Sequence, residues 1–355
     1  MLPVREDRMW IRNAWYVAAW THEIERGRIH ARTIIDQPLV LYRTTDNGIV
    51  ALEDRCPHRF APLSRGTREG NSVVCGYHGL TFSPQGKCVR NPYSERIPAG
   101  TDVPAFAVVE RYGIAWLWGG APQEADPGRI PDFSFAAESP GSRTLKGYTL
   151  MKANYEYGTD NLLDLSHIEF VHRRSLGGDG VIFAGEHSVT VEADTLHSNW
   201  FARGIPPPSV AYGRYPPEAK VDHWLDMRWN APASMRLMIG ACPAGTPREA
   251  GFELPQAHIL TPANEHETHY FWASTRYDNL DSEEVDAALL KLLLGAFEDE
   301  DKPMIEAAYA NVRGKDFWAE RPVALGVDQG GTRARRMLEK MSRNEQAGSA
   351  REGIA

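Results

Sequence analysis

The feature that most constrains this chain is a pair of short segments that each combine one cysteine with one histidine. Cys56-Pro57-His58 is followed, after sixteen residues, by Cys75-Gly76-Tyr77-His78. Two thiolates and two imidazoles can hold a zinc ion, or a two-iron cluster in which histidines replace two of the four cysteines. Either site requires both segments to form tight loops that face each other.

The distribution of ligands between the two segments favours the cluster over zinc. Zinc fingers usually pair cysteine with cysteine and histidine with histidine in each arm, whereas each arm here carries one of each. In a two-iron cluster one iron takes both thiolates and the other both imidazoles, so each loop spans both irons. Gly76 and Gly79 would let the backbone approach the cluster closely. Cys88 and Cys242 have no such neighbours and are expected to be small buried hydrophobic residues.

A second group of ligand-type side chains lies in the middle of the chain. Asp164 and His167 are three residues apart and would share a helix face. His172 follows five residues after His167, which on an ideal helix separates the two side chains by about 140°. They can converge on a metal only if the helix widens or ends between them, and Gly177-Gly178 agrees with a nearby helix end. By themselves these residues do not establish a metal site.

The pattern of strands and turns predicts two domains. Up to about residue 120 the chain alternates strand-like runs, such as 39–42, 49–52 and 114–118, with turn sequences such as Asp46-Asn47-Gly48. Residues 121–147 are rich in Gly and Pro and indicate a linker. A helix is expected in the second half of 149–173, strands over 183–277, and a helix capped by Asp281 with Glu284 at its third position. A second helical run starts at Pro303, and residues 346–355 indicate a disordered tail.

Composition excludes several classes of protein. The chain has 355 residues with 39 Lys+Arg and 47 Asp+Glu, a formal charge of −8 that argues against nucleic acid as a partner. No segment approaches the roughly 20 apolar residues of a membrane span, and residues 1–12 lack the apolar core of a signal peptide. Four cysteines are too few for a disulfide scaffold, so we expect a cytoplasmic protein.

Taken together, the motifs resemble those of the Rieske non-haem iron oxygenases. Arg55-Cys56-Pro57-His58-Arg59 and Cys75-Gly76-Tyr77-His78-Gly79-Leu80 match the Rieske cluster motif, and D-x-x-H-x-x-x-x-H at 164–172 is similar to the mononuclear iron motif. Residues 13–20, 38–43 and 260–272 are typical of the vanillate O-demethylase oxygenase branch, and the resemblance spans about 10–340. It implies an α+β fold: an all-β Rieske domain over 10–120, then a helix-grip (START-like) catalytic domain over 148–345 with a curved antiparallel sheet and flanking helices.

The resemblance also implies the ligands of both iron sites. Cys56 and Cys75 would hold one iron of a [2Fe–2S] cluster, and His58 and His78 the other. The mononuclear Fe(II) would be bound by His167, His172 and Asp301. The branch pattern F-x-x-E-D selects Asp301 as the carboxylate ligand, and Asp299 is the alternative to it.

Further roles follow from the same resemblance. Asp164 would be a bridging carboxylate that hydrogen-bonds His167 and, in a neighbouring subunit, His78. Asn161 matches a position beside the iron. His258 falls where the branch places a substrate-contacting histidine, and an acidic substrate could pair with one of three arginines: Arg203, Arg228 or Arg236.

The implied activity is that of the oxygenase component of a Rieske monooxygenase in bacterial aromatic catabolism. An NAD(P)H-dependent reductase or ferredoxin would supply electrons to a homotrimer, which uses O2 to hydroxylate a methoxy or methyl carbon of an aromatic acid, for example with release of formaldehyde. No G-x-G-x-x-G follows a strand, so nicotinamide would bind elsewhere. N-demethylation and ring dihydroxylation are alternatives within the family. A non-catalytic Rieske electron carrier and a zinc-binding interaction module are alternatives from other classes.

Overall fold

The computed structural model describes residues 10–352, apart from residues 174, 178, 179, 181, 183, 184 and 212, and only the backbone of 348–352. The chain divides into two compact units. One comprises Trp10–Asp132 with Thr261–Glu265, and the other comprises Phe133–Leu260 with the residues from His266 onward. Of the described helices, none is both long and apolar enough to cross a membrane.

The first unit is built from three small antiparallel sheets. They have the strand orders β1-β11-β10, β2-β3-β4-β9 and β5-β6-β7-β8. The strands are β1 (Trp15–Trp20), β2 (His30–Ile34), β3 (Gln37–Arg43), β4 (Ile49–Glu53), β5 (Thr67–Glu69), β6 (Ser72–Val74), β7 (Thr81–Phe82), β8 (Cys88–Arg90), β9 (Ala105–Phe106), β10 (Val108–Arg111) and β11 (Ile114–Trp118). The predicted turn at residues 46–48 joins β3 to β4, where Asn47 has a φ of 73°.

The core of this unit includes three of the four cysteines. Cys56, Cys75 and Cys88 are buried together with aliphatic and aromatic side chains such as Val40, Leu52, Leu63, Val73 and Phe82. Cys88 therefore matches the prediction of a small buried hydrophobic residue, and so does Cys242 in the other unit, which is 1% exposed. Burial fixes the loops that carry Cys56 and Cys75, because leaving the core would expose these apolar neighbours to water.

The second unit is organised around a seven-stranded sheet with the order β12-β18-β17-β16-β15-β14-β13. The strands are β12 (Arg143–Met151), β13 (Glu186–Glu192), β14 (Thr195–Ile205), β15 (Val221–Asn230), β16 (Ser234–Pro243), β17 (Phe252–Asn264) and β18 (Glu267–Arg276). β12 pairs antiparallel with β18, and β13 to β17 pair antiparallel in succession. Since side chains alternate between the two faces of a strand, the register decides which residues face the functional site.

Of the described α-helices, one lies between β12 and β13 in sequence and three follow β18. They are α1 (Tyr155–Leu163), α2 (Glu283–Leu294), α3 (Lys302–Val312) and α4 (Gln329–Glu352), with a 3-10 helix at Leu165–Glu169 and a π-helical segment at Gly295–Asp301. A β unit followed by a large antiparallel sheet with few helices confirms the predicted α+β class.

Four local predictions are wrong. The helix expected in the second half of 149–173 lies earlier, at α1, because Asn154 caps it by accepting the Glu156 N–H. Ser282 rather than Asp281 caps α2, since its hydroxyl accepts the Val285 N–H.

β12 begins at Arg143, inside the expected linker, because it pairs with β18 from that residue. α4 continues to Glu352, into the expected disordered tail, where Glu, Gln, Ala and Arg favour helix.

Candidate iron centres and the adjoining cavity

The two Cys-x-His-type loops of the first unit have the same backbone design. The Cys56 N–H donates to the Ala61 carbonyl at 2.9 Å, and the Cys75 N–H donates to the Leu80 carbonyl at 2.8 Å. The fourth residue after each cysteine, Phe60 or Gly79, donates back to the cysteine carbonyl and has a positive φ, 58° and 75° respectively. Two equivalent turns thus hold their cysteines in the same way, which is what a shared site requires.

The structure brings the four predicted cluster residues together. The His58 and His78 rings lie 4.4 Å apart, and the Nδ1 atom of His78 is buried without a hydrogen-bond partner. Burial raises the pKa of Cys56 to about 11, and the adjacent Cys75 thiol adds to this effect against the His58 N–H. A buried ring nitrogen without a partner and two neighbouring thiols fit a bound metal, which replaces the missing contact and favours the thiolates.

These loops place the cysteines inside the unit and the histidines toward its surface. Cys56 and Cys75 are both buried, whereas His58 is exposed and His78 half-buried. Gly76 is required here because a Cβ at this position would lie 2.5 Å from the Arg65 carbonyl oxygen. A cluster held by these residues would therefore present its imidazole-bound iron to electron-transfer partners.

The second centre forms where α1 ends. Asp164 closes α1 and caps the next 3-10 helix, because its carboxylate accepts the Ser166 N–H at 3.0 Å. This helix carries His167 and ends at Glu169, before His172, so the two histidines escape the 140° separation of a continuous helix. Of the two possibilities that the sequence left open, the helix ends between them.

His167, His172 and Asp301 lie close enough together to bind one metal ion. Their ligand atoms are all within 4.8 Å of one another. The Asp301 carboxylate is 3.4 Å from Nε2 of His167 and 3.1 Å from Nε2 of His172. Asp301 is 4% exposed, whereas the alternative, Asp299, is an exposed residue. Two imidazoles and one carboxylate on one side of a site suit non-haem Fe(II), with open positions on the other side.

Hydrogen bonds on the far side of each imidazole keep its Nε2 atom available. Nδ1 of His167 donates to the Asp164 carbonyl at 2.6 Å, and Nδ1 of His172 donates to the Glu300 carboxylate at 2.8 Å. Because each Nδ1 atom carries the proton, each neutral ring presents the lone pair of Nε2 toward Asp301. Such outer contacts are usual around metal-binding histidines.

Electrostatics differs between the two histidines. Burial lowers the pKa of His167, against the opposing charge of Asp301. Burial also acts on His172, but the hydrogen bonds and charges of Asp301 and Glu300 outweigh it and raise its pKa. Glu300 is a functional residue that the sequence motifs do not single out. Its position directly before Asp301 was the available signal, and Ser175 donates to the same carboxylate oxygen at 2.5 Å.

The π-helical segment explains how two successive acids reach one imidazole. Gly295–Asp301 lies between α2 and α3, and π-type turns frequently mark functional sites because they change the direction of the side chains that follow. Glu300 and Asp301 approach opposite nitrogens of His172. Glu298 instead approaches Lys302 at 3.8 Å, as expected for a solvated acid.

Asn161 and Asp164 both lie beside this centre. Asn161 donates to the Asp301 carboxylate at 3.3 Å, while its buried Oδ1 atom has no partner. Nδ1 of His167 donates to the backbone carbonyl of Asp164 and not to its carboxylate, so the predicted contact between the carboxylate and His167 is wrong. The reason is local: the carboxylate caps the 3-10 helix. Asp164 and His167 line a second, more polar pocket on α1 and α4.

A cavity of about 120 Å³ adjoins the three residues of the second centre. This volume is of the order of the engineered ~150 Å³ cavity that binds benzene, so it suits a single ring. Its wall is largely aliphatic and aromatic, for example Leu162, Leu225, Leu237, Ile239, Leu254 and Phe297.

His258 lines this cavity and is 1% exposed. Arg203, Arg228 and Arg236 are not among its described lining residues. Arg228 and Arg236 occupy strand positions that alternate with the lining residues Leu225 and Leu237, and therefore face the other side of the sheet. Arg203 lies 3.7 Å from Glu186 at the surface. None of the three arginines is therefore placed to pair with an acid bound in this cavity.

The fold and the two centres define a class: an iron–sulfur protein of the Rieske type with a second, non-haem iron site. Residues 14–107 match the Rieske [2Fe-2S] domain, and residues 151–344 match the vanillate O-demethylase oxygenase C-terminal domain. The chain belongs to this family of Rieske oxygenases and is an oxygenase component of a Rieske monooxygenase.

Similar proteins cover the chain over nearly its whole length. It is 38% identical to the oxygenase component of dicamba O-demethylase from Stenotrophomonas maltophilia, over 95% of this chain and 99% of that protein. It is 37% identical to the iron–sulfur subunit of the toluene-4-sulfonate monooxygenase system from Comamonas testosteroni, over 96% and 100%. The crystal structure of dicamba monooxygenase bound to dicamba superposes with a TM-score of 0.88 at 39% identity, covering 96% of this chain and 99% of that one.

Proposed function

We propose that this oxygenase hydroxylates a methoxy or methyl carbon of a small aromatic substrate, with electrons delivered by a separate NAD(P)H-dependent reductase or ferredoxin. The observation that carries the proposal is the position of the ring-sized cavity directly beside His167, His172 and Asp301. The relatives described above are named for O-demethylation of dicamba and for oxygenation of toluene-4-sulfonate, which agrees with attack on a one-carbon substituent.

The proposal assigns residues to each iron group. Cys56 and Cys75 would hold one iron of the cluster, and His58 and His78 the other, which is supported by the shared burial of the two thiols and the short distance between the two rings. Nε2 of His167, Nε2 of His172 and the Asp301 carboxylate would hold the mononuclear iron. The domain of residues 10–120 carries the first group, and the following domain carries the second.

When bound, the two iron groups would supply one-electron transfer and O2 activation: with two electrons and two protons, one oxygen atom of O2 enters a methyl C–H bond as C–OH and the other leaves as water. The protein's own residues hold the ring against the aliphatic wall and exclude bulk water. Asn161 orients the Asp301 carboxylate, and the contacts of Asp164 and Glu300 orient the two imidazoles. If the carbon attacked is a methoxy carbon, the resulting hemiacetal collapses to a phenol and formaldehyde.

Electron delivery is proposed to involve Asp164 and a homotrimer. Asp164 and His167 line the same pocket, and in this proposal the half-buried His78 of a neighbouring Rieske domain approaches it. A head-to-tail arrangement that passes electrons from each subunit to the next closes as a ring. The predicted location in the bacterial cytoplasm stays a prediction.

The test is a screen of methoxy- and methyl-aromatic compounds with the reconstituted holoenzyme, a generic reductase, NADH and O2. The expected result is formaldehyde, or a benzylic alcohol, formed in proportion to NADH consumed with at least one compound. A cis-dihydrodiol product would instead support ring dihydroxylation. If the cluster is reduced and reoxidised but no organic compound is consumed in the whole screen, the protein would be an electron carrier. That result would contradict the proposal.

A further inference from the structure

Arg335, on α4, is a buried cation that joins this C-terminal helix to α1. It is 4% exposed, and a buried arginine needs partners for its charge. Two carboxylates on successive turns of α1 provide them. Nη1 donates to the Glu156 carboxylate at 2.6 Å, while Nε and Nη2 donate to the Asp160 carboxylate at 2.8 and 2.6 Å. A forked contact of this kind fixes the direction as well as the distance of its partners.

Aromatic rings pack on the same guanidinium group. Its central carbon lies 3.8 Å from the centroid of the Phe317 ring and 5.0 Å from that of the Tyr157 ring. Burial acts to lower the pKa of Arg335, but the charges of Asp160 and Glu156 outweigh it and raise the pKa. Arg335 therefore stays protonated, and its contacts with α1 are charged hydrogen bonds.

The first turn of α4 also approaches the end of α1 closely. A Cβ on Gly330 would lie 2.9 Å from the Leu163 carbonyl oxygen, and a Cβ on Gly331 would lie 2.7 Å from Oδ1 of Asp160. The two helices therefore meet through backbone at these glycines and through Arg335 one turn later. A residue 175 positions further along the chain thus defines the place of Asp160.

The anchored turn of α1 supplies the outer contacts of two predicted iron ligands. Asp160 directly precedes Asn161, whose amide donates to the Asp301 carboxylate at 3.3 Å. The Asp160 carbonyl accepts the Asp164 N–H at 3.1 Å, and the Asp164 carbonyl accepts from Nδ1 of His167 at 2.6 Å. A shift of Asp160 would therefore be passed on to both Asp301 and His167.

We propose that Arg335 is a positioning residue of the mononuclear iron centre, because it anchors the turn of α1 that supplies Asn161 and Asp164. It acts through α1 and not by contact with the metal. Burial already raises the pKa of Asp160 to about 6 against the charge of Arg335. Without the guanidinium the Asp160 carboxyl would take up a proton or turn toward water, and α1 would lose its anchor. This inference rests on the proposed function, because it takes the proposed iron ligands as given.

Arg335→Met tests the proposal, since it removes the guanidinium but keeps an unbranched side chain. Fe(II) affinity of the mononuclear site is measured anaerobically in cluster-loaded protein by competition with a coloured chelator. The EPR spectrum of the nitric oxide complex, recorded at saturating Fe(II), reports the geometry of the ligands. We expect an Fe(II) affinity at least tenfold lower and an altered rhombicity of the EPR signal. A wild-type affinity or a wild-type signal would overturn the proposal.

Leu338→Ala is the matched control for a general loss of stability. Leu338 lies three residues later on α4 and is also 4% exposed, so its truncation leaves a cavity and lowers the thermal midpoint. The contacts of Arg335 remain, and Fe(II) affinity and the EPR signal should therefore equal those of the wild type at a temperature where every variant is folded. Equal losses of affinity in Leu338→Ala and Arg335→Met would give Arg335 a purely structural role and overturn the proposal.

Arg335→Lys keeps the proposal testable if the methionine variant does not fold. Lysine retains the charge, but a single ammonium group cannot reproduce the planar fork that holds Asp160 and Glu156 together. The lysine variant is expected to fold and to bind Fe(II) at least threefold more weakly than the wild type. A wild-type affinity in this variant would overturn the proposal.

The wild-type measurement separates this proposal from the proposed function. A wild type that binds no Fe(II) beyond its cluster would contradict the proposed iron site, and the role of Arg335 with it. A wild type that binds Fe(II) and oxidises a substrate, beside Arg335 variants with unchanged affinity, would overturn only the role of Arg335.

Discussion

His172 shows how much of the second iron centre depends on single contacts. One of its nitrogens faces Asp301, and the other donates to Glu300, which also accepts from Ser175. The Glu300 contact fixes which ring nitrogen carries the proton and which can bind metal. Removal of such an outer partner typically lowers metal affinity 10- to 100-fold.

Glu300→Ala is therefore expected to lower the Fe(II) affinity of the mononuclear site at least tenfold while the cluster is retained. Competition with a coloured chelator measures the affinity, and the visible absorption of the cluster is an internal reference. Glu298→Ala is the matched control, because Glu298 lies in the same segment but approaches Lys302 instead of the histidines. Equal Fe(II) affinity in wild type and Glu300→Ala would show that Glu300 is not needed for metal binding.

His258 gives a prediction about pH and stability. Its pKa is about 4 in the folded chain, lowered by burial, against an ordinary value of 6.5. Between these values the unfolded chain binds a proton that the folded chain does not, so the free energy of unfolding falls as pH falls from about 6.5 to about 4. At pH 5 this titration lowers the free energy of unfolding by about 2 kcal/mol relative to its value well above pH 6.5.

His258→Gln lacks this titration, and its stability should fall less than that of the wild type between pH 7 and pH 5. Urea unfolding of the metal-free second unit, followed by tryptophan fluorescence in both proteins, measures the difference. Parallel loss of stability in the two proteins would contradict a buried, neutral His258.

At the scale of elements, the π-helical segment between α2 and α3 positions the carboxylate ligand. Phe297, within the segment, and Asp301, its last residue, are both buried, and Phe297 packs against His258 and Trp272. The additional residue that a π turn accommodates sets the rotation of Asp301 relative to Phe297. A continuous α-helix over the same residues would turn Asp301 away from the histidines.

Deletion of Asp299 should convert this segment toward α-helix and abolish mononuclear iron binding. Asp299 is suitable because it is exposed and approaches neither histidine among the described contacts. The expected result is loss of about one iron per chain with an unchanged cluster spectrum, and Asp299→Ala is the control that keeps both. Full iron content in the deletion variant would argue that the π geometry is dispensable.

At the scale of the whole molecule, the proposed trimer predicts a defect of electron transfer in Asp164→Asn. Asparagine removes the negative charge that, in our proposal, His78 of a neighbouring subunit approaches. The Asp164 backbone carbonyl still accepts from His167 and the side chain can still cap the 3-10 helix, so both iron groups should remain bound. Stopped-flow absorption after mixing reduced enzyme with substrate and O2 should show reoxidation of the cluster slowed at least tenfold. Asp194→Asn, at an exposed turn, is the control. A wild-type rate in Asp164→Asn would contradict the bridge.

The sequence predicts those parts of the site whose residues lie close together in the chain. The cluster loops and the Asp164–His172 segment are local patterns, and their spacing reflects the turns that they form. The role of Glu300 and the position of α1 depend on a π turn and an N-cap that hydrophobic periodicity does not reveal. The orientation of Arg228 and Arg236 has a similar origin, because the face of a strand that borders the cavity is set by long-range register.

One chain of this protein is expected to hold two different iron centres. The most direct test of this assignment is the amount of iron and acid-labile sulfide per chain in anaerobically reconstituted protein, together with the visible spectrum. A brown protein that dithionite bleaches, with about three irons and about two sulfides per chain, is the expected result. Two irons and two sulfides after saturation with Fe(II), or a colourless zinc protein, would contradict it.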